Sequence, residues 1–348
     1  MTRVRARGED IRRYILEHVA KHPGDIARIT AEKFGITRQA VNKHLLKLSS
    51  EKALGIAGNT RNRTYALSTL TEWYKLFPIT PELAEDLVWT DHVLPVIAPL
   101  PDNALDICYY GFTEMFNNAI DHSGGSKIFV GIRKTALTTV MSLMDNGVGI
   151  FKKIQTAMNL LDERHAIFEL SKGKLTTDPR NHSGEGIFFT SRMFDSFNIL
   201  SGGVSFNHKY GNEEDWIFEI EKFETGTNIR MEINNHTART QKKIFDQYTS
   251  TDDYGFNKTV VPVKMAQYGN DKLISRSQAK RVLARVELFK TVMFDFQDVE
   301  VIGQAFADEI FRVFANKHPE IELHEIHANS EVKKMISRAK AVKLPLEE

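Results

Sequence analysis

The 348-residue sequence predicts a multidomain α+β protein, and three observations predict it. The chain is longer than one ordinary hydrophobic core, so two or three domains are expected. Its charge is divided: residues 1–70 hold 14 Lys and Arg against 6 Asp and Glu, leaving 32 against 39 for the rest. The apolar pattern also changes along the chain, from helical, through mixed helix and strand, to alternating strand and helix. The predicted layout is a basic module at 1–70, linking helices at 71–104, a central domain at 105–235, a linker at 236–257 and a small α/β domain at 258–348.

Composition limits the function classes. With 42% hydrophobic and 26% charged residues, the chain reads as soluble and globular. No apolar run reaches the roughly 18–20 residues that cross a bilayer, and the basic start has no apolar stretch behind it. A cytoplasmic, non-membrane protein is therefore expected. The single cysteine, Cys108, rules out an internal disulfide, a cysteine zinc site and a CxxC redox pair.

In the basic module, Ile11, Ile15 and Val19 at spacing four predict a helix over 9–20. A second helix covers about 25–34 and ends at Gly35, which can adopt a left-handed turn. Thr37 caps a third helix, on which Val41, Leu45 and Leu48 form the apolar stripe while Gln39, Asn42 and Lys43 face outward. Residues 53–67 read as a hairpin with apolar Leu54, Ile56, Tyr65 and Leu67 around a turn at 58–63. Through "ITRQAVNKHLLKLSSEKAL" and "GIAGNTRNRTYAL", this module resembles the winged helix-turn-helix family. The resemblance implies binding to double-stranded DNA. Arg38, Gln39, Asn42 and Lys43 would face the major groove, and Arg61 and Arg63 the phosphates or minor groove. The segregated positive charge independently points to a polyanion. The plainer alternative is a protein-interaction module with a solvated basic face.

Residues 69–104, with five prolines, read as short linking helices. In the helix that follows, Tyr109, Phe112, Phe116, Ala119 and Ile120 share one face. With Glu114 at 0°, Asn118 falls at about 40° and Asp121 at about −20°, opposite that stripe. Two strands, 127–134 and 138–144, lead into Asp145-Asn146-Gly147-Val148-Gly149-Ile150. A polar stretch at 151–182 precedes Ser183-Gly184-Glu185-Gly186, a glycine-rich loop opening a helix, where free N–H groups favour phosphate oxygens. Strands at 216–220 and 227–233 complete the domain.

Four of these segments, "EMFNNAIDHS", "DNGVGI", "SGEGIFF" and "TGTNI", resemble in order the motifs of GHKL ATP-binding domains over residues 75–235. Each alone recurs by chance; the ordered set is specific. The resemblance implies a two-layer α/β sandwich that binds ATP and Mg²⁺. Asp145 would accept from the adenine amine, Gly147 and Gly149 shape that pocket, and Thr227 support it. Asn118 would ligate Mg²⁺, with Asp121 on the same face; Glu114 would be the general base; Gly184, Glu185 and Gly186 would lie against the phosphates. Without the neighbouring motifs, Glu114 reads as a solvated helix residue. The segment between the second and third motifs forms a lid, here long and dense in charge at Asp162, Glu163, Arg164 and Lys172, so nucleotide trapping is expected to differ from that of shorter lids. Lys172 and Lys174 read as solvated lid residues, with phosphate contact as the alternative. His122 and His182 lack a third partner for a metal site.

The last domain alternates strands near 258–267, 290–303 and 320–329 with helices at 275–286, 304–314 and 330–339. Its "VMFDFQDVEVIGQAFADEIF" resembles STAS domains, in which a loop serine or threonine accepts phosphate from a GHKL kinase. The corresponding Gly303-Gln304-Ala305 has no hydroxyl, so the domain is expected to bind a partner or sense nucleotide state instead. Two functions follow: a DNA-binding regulator that responds to ATP, or an ATPase or protein Ser/Thr kinase acting on a separate protein partner. Glu114 discriminates them. A homodimer is compatible with either.

Overall fold

The computed structural model describes residues 3–59, 62–178, 180, 183–219, 225–249, 255–267 and 271–341. Helices α1 (Arg3–His18), α2 (Ile26–Phe34) and α3 (Arg38–Ser50) bury Ile11, Ile15, Val19, Ile26, Val41, Leu45 and Leu48 against one another. Gly35 ends α2 at φ 61°, and the Thr37 hydroxyl caps α3 by accepting the Ala40 N–H at 3.2 Å. Strands β1 (Leu54–Ala57) and β2 (Thr64–Leu67) close the module as an antiparallel hairpin. Leu54 and Tyr65 point inward, whereas Ile56 is exposed. The expected contact residue Arg61 lies outside the described residues.

The stretch 71–104, read above as linking helices, opens with a strand. β3 (Thr71–Pro78) pairs antiparallel with β4 (Lys127–Lys134) along its whole length and forms the edge of a seven-stranded sheet. Among its side chains only Phe77 is buried, so its apolar pattern is weak in sequence. Two short helices, α4 (Glu85–Val88) and α5 (Leu94–Ile97), joined by a π-helical turn at Trp89–Val93, then pack against the long helix α6 (Asp102–His122). Gly111 admits the Phe194 ring to the helix surface, since a Cβ there would lie 2.4 Å from it.

After β4 come β5 (Thr138–Asp145), α7 (Ile150–Ala157), α8 (Glu163–Ser171), α9 (Gly186–Met193), β6 (Ser196–Ser201), β7 (Val204–Lys209), β8 (Asn212–Glu219) and β9 (Thr227–Asn234). The sheet order is β3-β4-β5-β9-β6-β7-β8, and each pair is antiparallel. The segment read as a polar lid thus contains two helices, and α8 buries Ala166, Ile167, Phe168 and Leu170. No strand was expected over 196–209, where β6 and β7 lie.

Part of the expected linker at 236–257 is packed as well. Helix α10 (Gln241–Tyr248) places Phe245 and Tyr248 against Phe188 and Phe189 of α9, and Phe256 joins them. The C-terminal domain follows as β10 (Lys258–Pro262), α11 (Arg276–Leu283), β11 (Thr291–Asp295), α12 (Gln304–Asp308), a π-helical stretch at Glu309–Phe314, α13 (Ala315–Lys317), β12 (Glu322–Ile326) and α14 (Ser330–Ala341). Its three strands are parallel in the order β10-β11-β12, the arrangement that intervening helices require. Buried residues of the central and C-terminal domains form one continuous core, while the first module keeps its own.

Candidate functional site

β5, flanked by β4 and β9, carries Asp145 at its end, where the residue is only 7% exposed. One oxygen accepts the Gly147 N–H at 2.8 Å, and Thr227 also hydrogen-bonds to the carboxylate. Burial pushes its pKa above the ordinary carboxylate value; those hydrogen bonds oppose the shift without cancelling it. The loop after Asp145 needs its glycines. A Cβ on Gly147 would lie 2.1 Å from the Ser123 carbonyl oxygen, and Gly149 has φ 88° with the Ser201 hydroxyl 2.5 Å from its Cβ position. The Val148 N–H donates to that same Ser123 oxygen at 3.0 Å, fastening the loop to the end of α6. Across the sheet, the Thr227 hydroxyl accepts the Ile150 N–H at 3.1 Å.

These elements enclose a cavity of about 280 Å³. Along α6 its wall is Glu114, Met115, Asn118, Ala119, His122 and Ser123. Leu143, Ile150, Ile154 and Ile229 supply apolar surface beside Asp145 and Thr227. The remaining wall comes from Leu170, Leu175, Thr176, Thr177, Ser183, Gly184, Gly186, Ile187 and Phe188. Gly186, the first residue of α9, sits against Glu114: a Cβ there would be 2.0 Å from the Glu114 carboxylate. The carboxylate of Glu114 thus lies at the positive end of a helix.

Of the residues singled out in sequence, Glu114, Asn118, Asp145, Gly184, Gly186 and Thr227 line this one cavity. Gly147 and Gly149 are outside the lining and allow the close turn of the loop that follows Asp145. Glu185 is outside the lining, and burial pushes its carboxyl up with Lys174 opposing. Burial, reinforced by Glu114 and Glu185, also pushes the neighbouring Tyr110 hydroxyl up.

Asp121, in contrast, is exposed and lies outside this lining. At about 100° per residue, the lining residues of α6 centre near 80° from Glu114, between the polar and buried stripes. Asp121 therefore turns away, and His122 turns in. Lys172, read as a solvated lid lysine, is a correction, since it is fully buried.

Lys153 went unread and lines the cavity, its ammonium donating to the His122 carbonyl at 2.7 Å. Ile150, Ile154 and Ala157, spaced three to four apart, were the available signal for its helix. His182 lies outside the described residues. On the first module, Arg38, Gln39, Asn42, Lys43 and Arg63 are all exposed.

Residues 278–333 match the model of a family described as a STAS-like domain of unknown function (DUF4325). The match falls within the parallel three-stranded domain, whose STAS-like character the sequence had suggested. No curated protein matches the chain. Among the described residues, no helix is long and apolar enough to cross a membrane.

Proposed function

We propose that the cavity binds ATP with Mg²⁺, in the manner of GHKL domains, and that the chain is a DNA-binding regulator whose state follows the bound nucleotide. One observation carries the site: six motif residues from four separate segments of the chain line a single cavity. The lining suits this ligand. The buried acceptor Asp145 beside aliphatic Leu143, Ile150, Ile154 and Ile229 fits a flat base with an exocyclic amine. The amide oxygen of Asn118 is a hard ligand of the kind magnesium takes alongside phosphate and water. Bound Mg²⁺ would neutralise phosphate charge, while Lys153 and the first N–H groups of α9 offer further positive charge.

Titrating ATP and ADP calorimetrically into wild type and Asp145→Ala tests the site. Wild type should bind and the variant should lose at least about tenfold in affinity, because a buried hydrogen bond to a charged group contributes roughly 1.5–3 kcal/mol. Equal binding by both proteins would remove the assignment.

The exposed row Arg38, Gln39, Asn42 and Lys43 on the basic module supports double-stranded DNA as the partner. The STAS-like domain, with Gly303-Gln304-Ala305 where a phosphate-accepting hydroxyl would stand, serves here as a binding element rather than an acceptor.

A second reading, an ATPase or a kinase for a separate protein, is favoured by Glu114, which faces the cavity one turn before Asn118. There Glu114 would take the proton from water or a substrate hydroxyl. Phosphate release should then fall by about 10²–10⁴-fold in Glu114→Ala; equal rates would remove the catalytic assignment of Glu114.

A further inference from the structure

The C-terminal domain holds the lid at its backbone. Three successive lid carbonyls are taken by side chains from beyond residue 258. The Thr259 hydroxyl donates to the Lys172 oxygen at 2.6 Å. Arg285 donates to the Gly173 oxygen at 3.0 Å and to the Lys174 oxygen. The other guanidinium nitrogen of Arg285 reaches both the main-chain and side-chain oxygens of Glu169, each at 3.3 Å.

The grip is returned from the lid. The buried Lys172 ammonium donates to the Arg281 and Ala284 carbonyls at the end of α11, at 3.1 and 2.9 Å, and to Glu169 at 2.7 Å. Lys174 donates to the Leu288 oxygen at 2.8 Å. Arg285 itself has φ 63°, a left-handed conformation that a non-glycine residue keeps only where its surroundings enforce it.

The held segment leads straight into the cavity wall. The Leu175 N–H donates to the Gly184 oxygen at 3.1 Å, and Gly184 has no space for a Cβ, which would lie 2.5 Å from the Leu175 backbone. Both residues line the cavity. Gly173 is pressed between Phe256 and Phe188, and Phe188 is a third lining residue.

From this continuous chain of contacts we infer that the STAS-like domain anchors the lid, with Arg285 as the positioning residue that couples domain docking to occupancy of the cavity. The nature of the occupant rests on the ATP reading; the anchoring does not. Because such coupling is reciprocal, a bound ligand tightens the docking as much as docking tightens the ligand.

Hydrogen exchange on the full-length chain, with wild type, Arg285→Ala and Thr259→Val, tests the inference. Without nucleotide, Arg285→Ala should raise exchange by about tenfold or more in 172–176 and 183–188, leaving the Ile11–Leu48 core and β4–β5 unchanged. Adding ATP should protect residues 284–289 in wild type and not in the variant, and ATP affinity should fall about tenfold. Unchanged lid exchange in a folded Arg285→Ala overturns the anchor. If that variant unfolds, Thr259→Val, which removes one donor with little change of shape, decides by the same peptides. Wild type that binds no ATP would sink the ATP reading, while the nucleotide-free exchange still decides the anchor.

Discussion

Asp145 and Lys172 show what burial does to a charged residue in this protein. Both were visible in sequence as ionisable side chains, yet their surroundings give them different tasks. Asp145 ends a strand at a cavity, so under the proposed function its raised pKa would make nucleotide binding sensitive to acid. The sign follows from the carboxylate being the acceptor. As pH falls through the raised value, the acceptor is protonated and affinity drops, at a higher pH than the ordinary value near 3.9 would give. Calorimetric titrations across pH should show this fall in wild type and a flat profile in Asp145→Asn. A shared pH dependence would assign the titration to another group. Lys172, by contrast, is enclosed on every side, and burial pushes its ammonium down to about 8 despite the opposing charge of Glu169. Burial also resists the charge on Glu169, but His165, Lys172 and Arg285 outweigh it and hold that carboxyl below its usual value. Such a cluster is costly to break from one side, because the partner charge is left buried and alone.

At the scale of elements, the junction between α9, α10 and the C-terminal domain is aromatic. Phe256 lies 4.6 Å from Phe188, 4.9 Å from Phe189 and 5.2 Å from Phe289, measured between ring centres. This packing explains why Gln241–Tyr248, within the expected linker, is held as a helix: α10 has one apolar face, and α9 offers the surface that covers it. Phe256→Ala should cost about 3–5 kcal/mol in denaturant unfolding, the usual penalty for emptying a buried aromatic site. A loss below about 1 kcal/mol would mean that the junction is loosely packed. The lid helices illustrate the same point from the other side. α8 is rich in charge, but Glu169 is paired with Lys172 nearby and with Arg285 of another domain, so a residue that looks solvated is buried.

Across the whole molecule, β5 and β9 join the two ends where function is proposed. The β4–β5 turn, at Ala136 and Leu137, packs against the core of the first module, and β5 runs from there about 24 Å to Asp145. A ligand at Asp145 would therefore sit at the far end of the strand whose start packs against the basic module. If nucleotide favours one arrangement of the modules, Mg-ATP must shift DNA affinity. Binding to duplex DNA across a salt titration should differ with and without Mg-ATP. Arg63→Ala on the hairpin should reduce the salt slope by about one, as expected for one lost phosphate contact. Identical curves with and without nucleotide would separate the two sites.

Much of this was legible in the chain itself. Period-four apolar residues, Gly35 and Thr37 mark the first three helices because caps and stripes are local. The ordered segments around Glu114, Asp145, Gly184 and Thr227 marked the cavity because a tight approach demands glycine whatever the fold. Local pattern could not supply what depends on neighbours distant in sequence. β3 is an edge strand with one buried side chain, β6 needed β9 beside it and β7 needed β6, and Asp121 lies on the helix that lines the cavity but outside that lining. The clasp of Arg285, Thr259 and Lys172 is the furthest from local prediction. A charged residue reads as solvent-facing until its partner is brought to it, and only folding brings residue 285 to residue 173.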